Sequence, residues 1–275
     1  MTPHPSGYPQ RIVCLTEETT ETLYLLEEDR RIVGISGFTV RPARARKEKP
    51  RVSAFTSAKI GRIIDLKPDL VLGFSDLQAD IAAELVRAGI EVHVFNHRSV
   101  EETLRMIRTL GGMIGCESKT QRLVDRLSAG LEEVEKRAAA LPRRPRVYFE
   151  EWDEPQISCI RWVSELIAMA GGEDVFPELA CESLGRNRIV ADPLEVPRRA
   201  PDIILGSWCG KKFQPEQVAA RAGWGDVSAI RTGFVREIKS PIILQPGPAA
   251  LTDGVQAIQA VMVEWAAATT ARGAL

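Results

Sequence analysis

Two ten-residue segments constrain this chain more than anything else in it: LKPDLVLGFS at 66–75 and RAPDIILGSW at 199–208. Each joins a Pro-Asp pair to a short apolar run that closes on glycine, with a serine just beyond. A residue before proline is pushed out of the helical region, so each proline marks the end of a helix. A short apolar run bounded by such punctuation reads as a strand buried on both faces. This weak internal repeat of helix end, turn and buried strand predicts two lobes built alike, each around a parallel sheet.

The flanking sequence supports that reading. RIVCL at 11–15 reads as a buried strand and TEETTETLYLLEE as the helix after it, with threonine at the turn and glutamates in the first helical turn. RIVGIS at 31–36 is a second strand, ADIAAELVRAG a helix and IEVHVFN another strand. Alternation of strand and helix at these lengths argues for a parallel α/β sheet. RPRVYFE at 144–150 begins a second series, which continues through helical WVSELIAMAGG, the strand of the repeat and GFVREIK at 233–239. A final helix starts near Thr252. Between the series, residues 118–141 place apolar side chains at helical spacing and stop at Pro142. A helix of that length spans roughly 35 Å, enough to link two lobes along one side. The predicted layout is an N-terminal α/β lobe over 1–117, a connecting helix over 118–142 and a C-terminal α/β lobe over 143–275.

At 275 residues and a formal charge of −1, the chain gives no electrostatic reason to expect a nucleic-acid partner. The basic run from Arg41 to Arg51 holds two prolines and few aromatics, and reads as a solvated loop. No apolar window is long enough for a membrane span, and MTPHPSGYPQRIV lacks the apolar segment of a secretory signal. A cytoplasmic location is expected, or a periplasmic one if a leader is missing from this sequence. The five cysteines are widely spaced and include no CxxC, which fits small buried thiols in a reducing compartment better than a disulfide framework. No Walker loop, GxGxxG, nucleophile elbow or HExxH is present.

RIVCLTEETTETLYLL, EDRRIVGIS, a proline-containing basic loop, IGRIIDLKPDLVLGF and IEVHVF together resemble the Fe/B12-type periplasmic-binding fold. That family contains cobalamin-, haem- and siderophore-binding proteins of ABC importers. The resemblance runs from about 10 to 268, with LKPDLVL its most specific element and APDIIL a looser match. It implies a class III periplasmic-binding-protein fold: two Rossmann-like lobes with parallel sheets, joined by a long helix. It also implies a ligand held in a cleft between the lobes, either a corrinoid of the cobalamin type or a related metal chelate or tetrapyrrole. Transport members carry a docking glutamate on each lobe; Gly61 and Leu244 stand at the matching positions here, so an ABC permease partner is not expected. An intracellular enzyme or cofactor-handling protein with a repurposed cleft is an alternative. So is a conventional importer binding protein without its leader.

In such an architecture the loops after the strands hold the ligand. In the first lobe these loops offer Glu17, Glu18, Phe38, Arg41, Phe55, Thr56, Ser75 and His97. In the second they offer Glu150, Glu151, Trp152, Asp153, Arg161, Trp208, Cys209, Lys211 and Lys212. Trp152 and Trp208 are the preferred contacts, because a rigid aromatic face can cover a flat chelate while its N–H stays available. Trp162, Trp224 and Trp265 read as core. Lys211 and Arg41 suit an anionic group. Cys209 is a candidate soft ligand or nucleophile, with no base identifiable beside it. The scattered carboxylates, loop residue His97, strand residue His93 and terminal His4 make a bare-metal site the less favoured reading.

Overall fold

The structure is a computed structural model describing residues 7–273; His4 lies outside the described residues. The chain divides into two compact units. One holds the described residues up to His97 together with Glu101–Leu127, and the other holds Arg98–Val100 with the chain from Ser128 onward.

In the first unit six strands form one sheet: β1 (Ile12–Cys14), β2 (Ile32–Ser36), β3 (Arg51–Ala54), β4 (Ser57–Ala58), β5 (Leu70–Phe74) and β6 (Val92–Phe95). Their spatial order is β4-β3-β2-β1-β5-β6. All neighbours run parallel except the β3–β4 hairpin. The chain steps outward from β1 on one side, then returns to lay β5 and β6 on the other. That reversal leaves the ends of β1 and β5 side by side, the position at which open parallel sheets bind ligands. Val13, Leu15, Val52, Ile63 and Val71 form the core on one face.

The second unit has β7 (Arg146–Asp153), β8 (Gln156–Ser158), β9 (Glu173–Asp174), β10 (Ile203–Gly206) and β11 (Val235–Glu237). The order is β11-β10-β7-β8, with β9 also paired to β7. Its core is aromatic: Tyr148, Phe176, Trp208, Phe213 and Trp224 pack together. Gly206 ends β10 without a side chain because a Cβ there would lie 1.8 Å from the Phe213 ring.

The sequence repeat is a repeated structural device. Lys67 and Ala200, each just before the proline, take left-handed φ angles of 47° and 45°. Asp69 accepts the Arg11 N–H at 2.8 Å and returns its own N–H to the Arg11 carbonyl at 3.0 Å. Asp202 does the same with Arg146, at 2.9 and 2.8 Å. In each unit the aspartate therefore clamps the start of the strand that pairs with its own, Ile12 opposite Leu70 and Val147 opposite Ile203. These are backbone groups that would otherwise end the ladder unpaired.

The long helix spans Glu117–Ala138, with its first half in the first unit and its second half in the other. Gln259 of the terminal helix Val255–Gly273 donates to the Val134 carbonyl at 2.6 Å and accepts from Arg137 at 2.8 Å, fixing the two helices together. A helix that the sequence pattern does not predict spans Val100–Met113. It packs so closely on the long helix that a Cβ on Gly111 would strike Thr120 at 1.9 Å. Among the described residues, no helix is long and apolar enough to cross a membrane.

Candidate functional site

In the first unit, β1 runs straight into the helix Glu17–Leu25, and the turn between them carries the unit's unusual chemistry. Glu17 and Glu18 open the helix where its dipole favours negative charge, yet both are buried, at 8% and 2% exposure. Thr16 donates from Oγ1 to Glu18 at 2.5 Å, and Ser36 at the end of β2 donates to Glu17 at 3.0 Å. Burial, reinforced by the neighbouring Glu17, raises the Glu18 pKa to about 8; burial also raises that of Glu17. Two adjacent carboxyl groups in a desolvated turn favour a proton on one of them at neutral pH. Glu21, one turn on, accepts from Arg41 at 2.9 Å.

The other predicted residues of this unit take different roles. Phe38 is 58% exposed. Phe55 and Thr56 form the turn of the β3–β4 hairpin, with Thr56 exposed. Phe55 faces Phe74 at 6.5 Å, and Phe74 meets His97 edge-on at 5.1 Å. Gln78, absent from the predicted set, ties this corner together. Its amide donates to the Phe55 carbonyl and accepts from the Phe74 N–H, at 2.8 and 2.9 Å. Ser75 is 1% exposed, and its Oγ accepts the Leu77 N–H. It caps a short helical turn through one lone pair of that oxygen.

In the second unit β7 ends as Glu150-Glu151-Trp152-Asp153, with an irregularity in its pairing to β8 between Glu150 and Trp152. Glu150 is fully buried. It accepts two bonds from Arg221, at 2.5 and 2.9 Å, one from Trp208 Nε1 at 3.0 Å and one from the Tyr148 hydroxyl at 3.1 Å. Burial works against the Arg221 charge, but the Glu150 bonds outweigh it and hold the arginine pKa above its ordinary value. This corrects the expectation for Trp208. At 1% exposure its ring is core, packed edge-on to Phe213, and its N–H is committed to Glu150. Arg221 went unnoticed in the sequence because an arginine in AARAGW has the look of a solvated helix end. Glu151 pairs with Arg188 at 2.7 and 3.0 Å, another partner far away in sequence.

Trp152 and Lys211 do come together. The Lys211 ammonium lies 4.5 Å from the Trp152 ring centre and 4.9 Å from that of Trp208, and 2.5 Å from Asp153. Trp152 is half-buried, and its N–H is fixed on the Glu154 carbonyl at 2.9 Å. The result is an indole shelf with one cation and one anion beside it. Lys212 and Cys209 are exposed at the neighbouring turn, and Arg161 pairs with Glu165. Trp162, Trp224 and Trp265 are buried, at 5%, 0% and 3% exposure. Among the described residues, no group of three or more His, Cys, Asp or Glu is placed to hold a metal ion.

Comparison with known proteins places this geometry in context. A family model described as periplasmic binding protein matches residues 12–242. The chain belongs to the periplasmic binding protein family. A substrate-binding lipoprotein of an ABC transporter from Bacillus subtilis, YvrC, itself uncharacterized, is 24% identical over 262 residues, covering 90% of this chain and 78% of the relative. The crystal structure of the periplasmic vitamin B12-binding protein BtuF of Vibrio cholerae aligns with a TM-score of 0.75 at 20% identity, over 94% of this chain and 98% of its own. The periplasmic haem-binding protein RhuT of Roseiflexus sp. RS-1 aligns at 0.77 and 22% identity, over 92% and 99%. The fold is thus the class III periplasmic-binding-protein fold that the sequence resemblance implied.

Proposed function

We propose that the protein binds a metal chelate built on a tetrapyrrole-like ring, a corrinoid in the first instance. The aromatic contact in the second unit is assigned to Trp152. Two solved relatives of the same fold bind vitamin B12 and haem, which supports the ligand class. The observation that carries the choice within that class is the charge of the indole shelf. Lys211 and Asp153 sit in contact, so the shelf is neutral as a whole. Haem presents two carboxylates at its edge and would be recognised best by unpaired cations. A corrinoid presents a rim of neutral amides, each both donor and acceptor, which a paired lysine and carboxylate can meet without leaving a buried charge. The Trp152 ring supplies flat apolar area at little entropic cost, since its N–H already fixes its rotamer.

Titration calorimetry with cyanocobalamin and, separately, haemin tests the reading. The expected result is corrinoid binding at micromolar or lower Kd, weakened at least tenfold in Trp152→Ala measured where its circular dichroism is still that of the folded chain. Absence of binding to both compounds at tens of micromolar would overturn the ligand class. Preference for haemin would overturn the argument from the neutral shelf.

A further inference from the structure

A basic cavity of about 580 Å³ lies beside the β3–β4 hairpin of the first unit. Arg46, Lys49, Arg51, Lys59 and Arg62 line it, and no acidic or aromatic residue does. The run from Arg41 to Arg51, which reads as a solvated loop in the sequence, thus brings three of its cations to one concavity. The remaining two come from beyond the hairpin. Among the described residues, none of the five is ion-paired. The nearby Arg44, which is not part of the lining, is the one that pairs with Asp29 and Glu48. Like charges gathered without counter-charges repel one another, and a folded chain that carries them in a concavity has a ready anion site. The volume falls within the few hundred to about 1,000 Å³ typical of small-molecule sites.

From this we infer that the cavity is a second ligand site, for a small, multiply charged phosphate compound without an aromatic ring. The argument for phosphate is the donor set: three guanidinium forks and two ammonium groups, which match clustered phosphoryl oxygens in number and geometry. The argument against a nucleotide is the lining. Its apolar part is Pro50, Val52, Ala54 and Ala58, with no ring on which a base could stack. None of the cavity's residues belongs to the indole shelf or to the buried glutamate turn, so this site stands or falls independently of the chelate reading.

The test is calorimetry with inorganic tripolyphosphate at about 150 mM salt, where screening leaves only short-range attraction. Arms of sulfate, ATP and an oligo-glutamate peptide are run at matched ionic strength. The expected result is tripolyphosphate binding at micromolar Kd, at least tenfold tighter than sulfate. The affinity for ATP should be set by its phosphates alone and be no greater. In the double variant Arg46→Ser/Arg51→Ser, both positions being exposed, affinity should fall at least tenfold with unfolding unchanged; Lys47→Ser, outside the lining, should leave it as it was. The inference is overturned by absence of binding, by equal affinity for sulfate, or by affinity undiminished in the double variant. Tighter binding of ATP would show that a base is recognised, and tighter binding of the acidic peptide would assign the cavity to a protein partner; either also overturns it.

Discussion

Replacing Arg221 by methionine tests how the second unit tolerates its most buried charge. Glu150 is fully inaccessible and relies on Arg221 for two of its four side-chain hydrogen bonds, leaving only Trp208 and Tyr148 after the change. Removing one partner of a buried ion pair costs about 3–5 kcal/mol, because the remaining charge has neither water nor a counter-ion. For units of this size, a change of that order lowers the unfolding midpoint by roughly 10 °C. The double variant Glu150→Gln/Arg221→Met removes the orphaned charge while keeping the acceptor for Trp208, and should recover at least about 1 kcal/mol of the loss. Urea unfolding followed by far-ultraviolet circular dichroism gives both numbers. A single variant losing less than about 1 kcal/mol would refute the reasoning. So would a double variant as unstable as the sum of its two single changes, since either result would mean the pair is not coupled as its geometry requires.

Two further predictions concern stability. The Glu18 carboxyl, its pKa raised by burial to about 8, holds a proton in the folded chain that the unfolded chain releases near the ordinary value of 4.5. The folded state therefore binds more protons between those values. Stability should fall as pH rises through that window, by at most about 1.4 kcal/mol per pH unit, and level off above it. Glu18→Gln should flatten the profile, and a wild-type profile that rises over the same range would contradict the assignment. Gly206→Ala should cost about 1–3 kcal/mol by forcing Phe213 off its seat, and combining it with Phe213→Leu should restore part of the loss; no rescue would mean that the clash is relieved elsewhere.

The fold was largely legible because its signals are local. Pro68, Pro201 and the apolar runs after them announce buried strands, although the partners of the aspartates behind them, Arg11 and Arg146, lie 58 and 56 residues away. The helix Val100–Met113 is hard to read because its sequence carries two glycines, and the reason for one of them, a close contact with Thr120 across the turn into the next helix, is a matter of packing. The site was legible only in part. Trp152 at the end of β7 and Lys211 in the turn after β10 do lie against each other. Trp208 follows a Gly-Ser pair just as an exposed loop tryptophan would, and nothing nearby in sequence reveals that Glu150 and Phe213 claim both its N–H and its ring. Arg221 and Arg188, which neutralise the two strand-end glutamates, lie 71 and 37 residues from their partners. Pairings over such distances are set by the folded sheet, and composition or spacing carries no trace of them.

All five tryptophans, Trp152, Trp162, Trp208, Trp224 and Trp265, fall in the second unit, while the first has two tyrosines, Tyr8 and Tyr24, and no tryptophan. Emission excited at the red edge of the indole band is therefore a built-in label on one half of the chain. The first unit contributes no indole to that signal, whereas circular dichroism reports on both units. The separation between the two denaturation curves, measured on the unmodified protein, gives the degree to which the two units unfold as one.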